Sequence, residues 1–194
     1  MRQAKLKRKT TETNIQLQMV IDGTGKYSIN TGIGFFNHML ELFSRHGLFD
    51  LTIEAQGDLQ VDFHHCVEDV GICLGNAFKD ALGDGAGIRR YSSLSLPMDE
   101  SLVNVAVDIG GRPHLECHVP LAKSKVGEFD MELVEEFFRA FVTNARINLH
   151  IDLVRGENLH HIAEAVFKGV ARALRAATEK DPRFAGVPST KGVL

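Results

Sequence analysis

Two stretches decide how this chain is read: His64-His65-Cys66-Val67-Glu68 and His160-His161-Ile162-Ala163-Glu164. Both spell His-His-x-x-Glu, so six side chains able to ligate a metal fall in two short segments 96 positions apart. The blocks before them repeat as well. Asn37–Phe43 resembles Glu135–Phe141, and Leu51-Thr52-Ile53-Glu54 resembles Leu149-His150-Ile151-Asp152, both at a separation of 98. The change of separation between block and pentad is a short indel in a loop, where duplicated halves normally drift. Apolar runs over Ile15–Ile21 and Val103–Ile109 occupy the earlier part of each half, each followed by a Gly-containing turn. The chain therefore reads as an internal duplication. Residues 1–87 form the first half, and 88–194 the second half with a C-terminal tail, in one compact unit. The boundary is placed in Gly83-Asp84-Gly85-Ala86-Gly87.

Hydrophobic periodicity supplies the elements. Ile15, Leu17, Met19 and Ile21 alternate and predict a strand over residues 12–21, with Asp22–Lys26 as the following turn. Phe36, Met39, Leu40 and Phe43 recur at helical spacing over Phe35–His46, and Gly47 is read as the stop. A strand over Leu48–Ala55 precedes Gly57-Asp58. Asp62 is placed to cap a helix that carries His64, His65 and Glu68 in its first turns and runs to Leu82. The second half repeats this order: strands near Tyr91–Leu96, Leu102–Ile109 and His114–Val119, a helix over Met131–Asn144, a strand over Asn148–Leu153 and a helix over Leu159–Thr178. Pro182 ends the last helix, and the tail Val187–Gly192 is read as extended. Strands then helices, written twice, predict an α+β fold with four helices packed between two mixed β-sheets.

Composition narrows the function. The 194 residues are enough for a substantial core, and a net charge of -3 gives no basic signature for nucleic acid. The basic segment Lys5–Lys9 reads as a solvated edge strand. No apolar run approaches the roughly 20 residues of a membrane span. The first 30 residues lack a signal-peptide core, and Glu12 with Asp22 argues against a transit peptide. Three cysteines, Cys66, Cys73 and Cys117, make neither a disulfide framework nor Cys-x-x-Cys, so a reducing cytoplasm is expected.

The pentads carry the chemistry. Adjacent helical side chains point about 100° apart, while residues three or four apart share a face. His64 and His65 therefore serve two ions more easily than one, and Glu68 joins either. If the two pentads face each other, each ion takes a His-Glu pair from one helix and a histidine from the other. A fourth ligand comes from the preceding helix, His38 in the first half and Glu136 at the matching position of the second. This yields one set of His38, His65, Glu68 and His160 and another of His64, Glu136, His161 and Glu164. Imidazole and carboxylate without thiolate suit manganese(II), iron(II) or zinc. A solvated helix face explains one such pentad readily; two at matching repeat positions argue against it.

Anion-binding candidates are Arg90 after the glycine-rich stretch, Arg112 in the turn Gly110-Gly111-Arg112-Pro113, Lys168 one turn beyond Glu164, and Ser189 with Lys191 in the tail. Singly, each reads as an ordinary surface charge. Together they make an Arg/Lys/hydroxyl phosphate clamp.

Four dispersed motifs resemble the imidazoleglycerol-phosphate dehydratase family: Gly32–Leu40, Asp62–Asp69, Asn158–Ala165 and Pro188-Ser189-Thr190-Lys191-Gly192. The resemblance implies dehydration of imidazole glycerol phosphate to imidazole acetol phosphate in histidine biosynthesis, through a metal-bound imidazolate and a diazafulvene-like intermediate. It also implies two manganese(II) ions per active site and a homo-oligomer of 24 subunits with sites at subunit contacts. Glu12 becomes the acid/base, in a catalytic set with Glu164 and His65. Substrate and phosphate contacts fall on Glu12, Arg90, Arg112, Lys168, Ser189 and Lys191. Metal ligands fall on His38, His64, His65, Glu68, Glu136, His160, His161 and Glu164.

The chain departs from the family pattern at Asn37, where Asp is usual, at Phe63 and Cys66 around the first pentad, and at Glu136, which is His in many relatives. A glutamate ligand there would add negative charge to its ion and lower its Lewis acidity. Two other classes use similar parts. A two-metal phosphoester hydrolase would release phosphate, and a metal-storage helical shell would need long carboxylate-rich helices without these strand runs.

Overall fold

The computed structural model describes residues 1–121 and 123–192, so the last two residues of the expected second half lie outside it. Strands β1 (Gln3–Lys9), β2 (Thr13–Val20), β3 (Tyr27–Asn30) and β4 (Asp50–Gly57) form one sheet in the order β1-β2-β4-β3. Strands β5 (Tyr91–Met98), β6 (Ser101–Asp108), β7 (His114–His118) and β10 (Asn148–Arg155) form a second in the order β5-β6-β10-β7. Both sheets have two antiparallel pairings followed by one parallel pairing at β3–β4 or β7–β10. A two-residue hairpin, β8 (Lys125–Val126) with β9 (Phe129–Asp130), sits outside them. The alternation read from Ile15, Leu17 and Met19 is the buried face of β2, and the basic β1 is an edge strand.

Helices α1 (Gly34–Gly47), α2 (His64–Leu82), α3 (Leu133–Ala145) and α4 (Leu159–Thr178) lie between the sheets. The pairing crosses between the halves. α2 packs on β1 and β2 and against α3, while α4 packs on β5 and β6 and against α1. This gives the α+β architecture expected, a helical layer between two mixed sheets. None of the described helices is long and apolar enough to cross a membrane.

An aromatic cluster fills the layer. Phe137 of α3 lies 5.4 Å from Phe36 of α1 and 5.3 Å from Phe167 of α4, centroid to centroid. Phe141 of α3 reaches Phe43 of α1 at 6.1 Å and Phe78 of α2 at 5.8 Å. All seven named or neighbouring rings here, Phe138 included, are fully buried. These centroid spacings are those of favourable aromatic pairs.

Two glycines set how closely α2 and α3 approach. A Cβ on Gly71 would stand 2.7 Å from the Phe137 carbonyl oxygen, and one on Gly75 would stand 2.4 Å from that of Phe141. Contacts advance together along both chains, so the helices run parallel. Gly47 differs from its expected role. It is the last residue of α1, and Leu48 takes the left-handed turn at φ 54°. Gly47 is small because a Cβ there would lie 2.5 Å from the Phe49 ring. Gly75→Ala should lower unfolding free energy by about 1–3 kcal/mol through overpacking against backbone. Urea unfolding checks this, and an unchanged midpoint would refute the close-approach account.

Candidate metal centre and anion cavity

The Asn158 side chain caps α4, accepting from the backbone N–H groups of His160 and His161 at 2.9 and 3.3 Å. One turn later Glu164 shares a face with His160, and α1 brings His38 to the same point. Glu164 Oε1 lies 2.9 Å from Nε2 of His38 and 3.0 Å from Nε2 of His160. The three donor atoms fall within 4.8 Å of one another. Glu164 is only 8% exposed, and its other oxygen accepts from the Lys168 ammonium. Burial would raise the Glu164 carboxyl, but the Lys168 and His38 hydrogen bonds, the Lys168 charge and His160 outweigh it and hold it down at about 2. Two imidazoles and an ionised carboxylate converging on one point fit a borderline divalent cation. Thiols do not compete: burial pushes Cys66 up to about 11 and Cys73 up to about 12.

The first pentad opens α2. Asp62 accepts from the His64 backbone N–H at 2.8 Å, although Phe63 occupies the cap position. His65 Nδ1 is 3.0 Å from Asp58, and its Nε2 is 3.9 Å from Glu12 Oε1. His64 Nε2 is 3.9 Å from Glu68. The Asp58 hydrogen bond raises the His65 pKa against a desolvation penalty, helped by the charge of Glu12. His161 is held in the same way, its Nδ1 2.8 Å from Glu100 Oε2. Glu100 Oε1 also accepts from Asn158 N–H at 2.9 Å, and the His161 hydrogen bond with this one holds its carboxyl at about 2. With Nδ1 bound to a carboxylate, His65 and His161 present Nε2 outward, as metal-ligating histidines generally do.

Asp58 and Glu100 were not among the sequence candidates. For Glu100 a signal existed, since it immediately precedes β6 as Glu12 immediately precedes β2. The expected ligand grouping also differs within one chain. His38 and His160 do come together, but with Glu164 rather than with His65 and Glu68, because α1 packs on α4 while α2 packs on α3. Glu136, on the first turn of α3, lies 3.8 Å from Arg139.

Arg90, Arg112, Ser189 and Lys191 line one cavity of about 420 Å³ with Arg146. Arg90 is fully engaged there. Its Nε and one terminal nitrogen donate to Asp108 at 2.7 and 3.2 Å, and the other donates to the Pro188 carbonyl at 2.8 Å. It therefore ties down the tail. The tail is turned rather than extended: Ser189 N–H donates to Val187 O, Gly192 N–H to Ser189 O, and Lys191 N–H to Ser189 Oγ. Hydrogen bonds local to Ser189 favour turns over an extended run. Lys168 does not join this cavity, being held at Glu164.

The cavity and the histidines occupy opposite ends of the helices. Arg90 N–H donates to Ala177 O near the end of α4, whereas His160 is in its first turn. At 1.5 Å per residue these points are roughly 25 Å apart.

Fold and cluster together define an α+β protein with a candidate His/Glu metal centre and a separate cationic cavity. A family model described as imidazoleglycerol-phosphate dehydratase matches residues 31–174. A Trichlorobacter lovleyi protein of that name is 58% identical over 193 residues, spanning 100% of this chain and 99% of its own length. One from Thermoanaerobacter pseudethanolicus is 58% identical over all of both chains. The crystal structure of the Staphylococcus aureus dehydratase superposes with a TM-score of 0.84 at 46% identity, covering 92% of this chain and 99% of that one. The Pyrococcus furiosus structure gives 0.83 at 37% identity, covering 97% and 100%. The chain belongs to the imidazoleglycerol-phosphate dehydratase family, and is an enzyme of the hydro-lyase class.

Glu164 supplies a test by pH. A carboxyl held at about 2 stabilises the fold above its unfolded pKa near 4, and that contribution disappears as pH falls toward 2. In metal-free protein, Lys168→Met should lose about 1–3 kcal/mol at pH 7 by removing a charged hydrogen bond to a buried group. Its stability should also fall less steeply than wild type between pH 5 and 2.5. Parallel slopes in urea unfolding would refute the assignment.

Proposed function

We propose that this chain dehydrates imidazole glycerol phosphate to imidazole acetol phosphate in histidine biosynthesis, in the cytoplasm, as a homo-oligomer whose complete sites are shared between subunits. Family membership supports the reaction. The observation that carries the shared site is the separation of roughly 25 Å between the histidine cluster and the cationic cavity. A small phosphorylated imidazole cannot bridge that distance, so the cavity of one subunit must serve the histidines of another. This arrangement also lets the pentads of α2 and α4 face each other across a contact rather than within a chain. A closed assembly of 24 subunits is the form proposed, each chain being a duplicated pair of halves divided near residue 87.

His38, His160 and Glu164 would hold one manganese(II) ion, with His64, His65, Glu68, His161 and Glu136 supplying the remaining ligands for two. When bound, the metal would supply Lewis acidity to a ring nitrogen of the substrate. The chain's own groups do the rest. Glu12, whose side chain is half exposed and 3.9 Å from His65 Nε2, takes the proton from the carbon bearing the retained hydroxyl. The hydroxyl beside the ring leaves as water, and the resulting enol becomes the ketone, with phosphate still attached. Arg112, Ser189 and Lys191 hold the phosphate, and Arg90 positions the tail that carries the last two. Asp58 and Glu100 keep His65 and His161 in the tautomer that offers Nε2.

Subunit complementation tests this reading. Arg112→Ala and His38→Ala proteins should each be nearly inactive, yet co-assembled mixtures should regain ketone formation without phosphate release. No recovery would refute shared sites, and phosphate release would favour the hydrolase alternative.

A further inference from the structure

Arg146 ends α3 at φ 57°, a left-handed conformation that a non-glycine residue adopts only at some expense. The turn itself does not call for arginine. Leu48 closes α1 in the same conformation, at φ 54°, with an apolar side chain. Arg146 nevertheless reaches the cavity lined by Arg112, Ser189 and Lys191. Its Nε donates to the Gly111 carbonyl at 3.0 Å, which aims the guanidinium at the turn carrying Arg112. Asn148, two residues on, donates to the Arg112 carbonyl at 2.6 Å and holds the same turn. Among the described residues, neither terminal nitrogen of Arg146 has a hydrogen-bond or ion-pair partner. Arg90 contrasts with it, its charge being met by Asp108. Among the described residues, the lining cations without an ion-pair partner are Arg112, Arg146 and Lys191.

We propose that Arg146 is a further substrate-binding residue of the cavity, gripping the phosphate monoester through its two terminal nitrogens. This rests on reading the cavity as the phosphate site. A planar guanidinium with two adjacent N–H groups matches two phosphate oxygens, which an ammonium cannot do.

Arg146→Gly isolates the claim, because glycine is the residue best suited to this backbone conformation and the variant should fold at least as well as wild type. Isothermal titration with inorganic phosphate and steady-state kinetics with imidazole glycerol phosphate supply the readouts. Expected are about a tenfold weaker phosphate Kd and a similarly raised KM, with kcat little changed and the melting temperature equal or higher. Arg146→Lys should recover only part of the loss. Unchanged binding in Arg146→Gly, alongside weakened binding in Arg112→Ala, would overturn the role of Arg146 and leave the cavity assignment standing. Unchanged binding in both would overturn both. A lowered melting temperature with equal falls in kcat and kcat/KM would mark Arg146 as structural and likewise overturn the proposal.

Discussion

The contact of α3 on α2, backbone against glycine backbone, fixes the register of the helical layer, and the placement of chemistry follows from that register. Gly71 and Gly75 admit no side chain, so the two helices can slide neither apart nor along each other without losing the fit. Phe137 and Phe141 then tie α3 to α1, α2 and α4 through buried rings. With the helices held in parallel pairs, side chains of their first turns gather at one end, and the residues following them gather at the other. Histidines and carboxylates collect at the starts; Arg90 and Arg146 stand beyond the ends of α4 and α3. The distance between the histidine cluster and the cationic cavity is thus a consequence of helix length and direction.

The histidines are prepared in two ways. His38 and His160 converge on a single oxygen of Glu164, a carboxylate kept ionised by Lys168. His65 and His161 are anchored instead through Nδ1, by Asp58 and Glu100. The carboxylates at the two corresponding hairpin corners, just before β2 and β6, differ accordingly. Glu100 is bound on both oxygens, to His161 and to the start of α4, and is structural. Glu12 is half exposed, its Oε1 3.9 Å from His65 Nε2. One position in the fold is thereby tied down by hydrogen bonds in one half and left half exposed in the other.

Much of this was legible in the residues. The stripe Ile162, Val166, Val170, Ala173 and Leu174 is the buried face of α4, whose limits match the expected ones. Alternation located β2, and the pentads located the starts of α2 and α4. Other features left no local trace. β3 is four residues long and mostly exposed, so neither periodicity nor length betrays it. That α1 seats on α4 rather than on α2 depends on which surfaces fit after collapse, and it brings His38 beside His160 and Glu164. Arg146 was not among the anion-binding candidates, because only the folded turn brings it beside Gly111. The tail was misjudged for a related reason: short-range bonds around Ser189 override an extended run.

The outer strand β1 alternates in burial, with Lys5, Lys7 and Lys9 facing solvent on one side and Ala4, Leu6 and Arg8 turned partly inward. A second copy laid alongside that border would bring ammonium groups together while offering little apolar gain. Strand-to-strand growth is therefore disfavoured electrostatically, as charged borders of natural sheets commonly ensure. The same border of ammonium groups that keeps β1 solvated thus guards the sheet against fibrous stacking of copies.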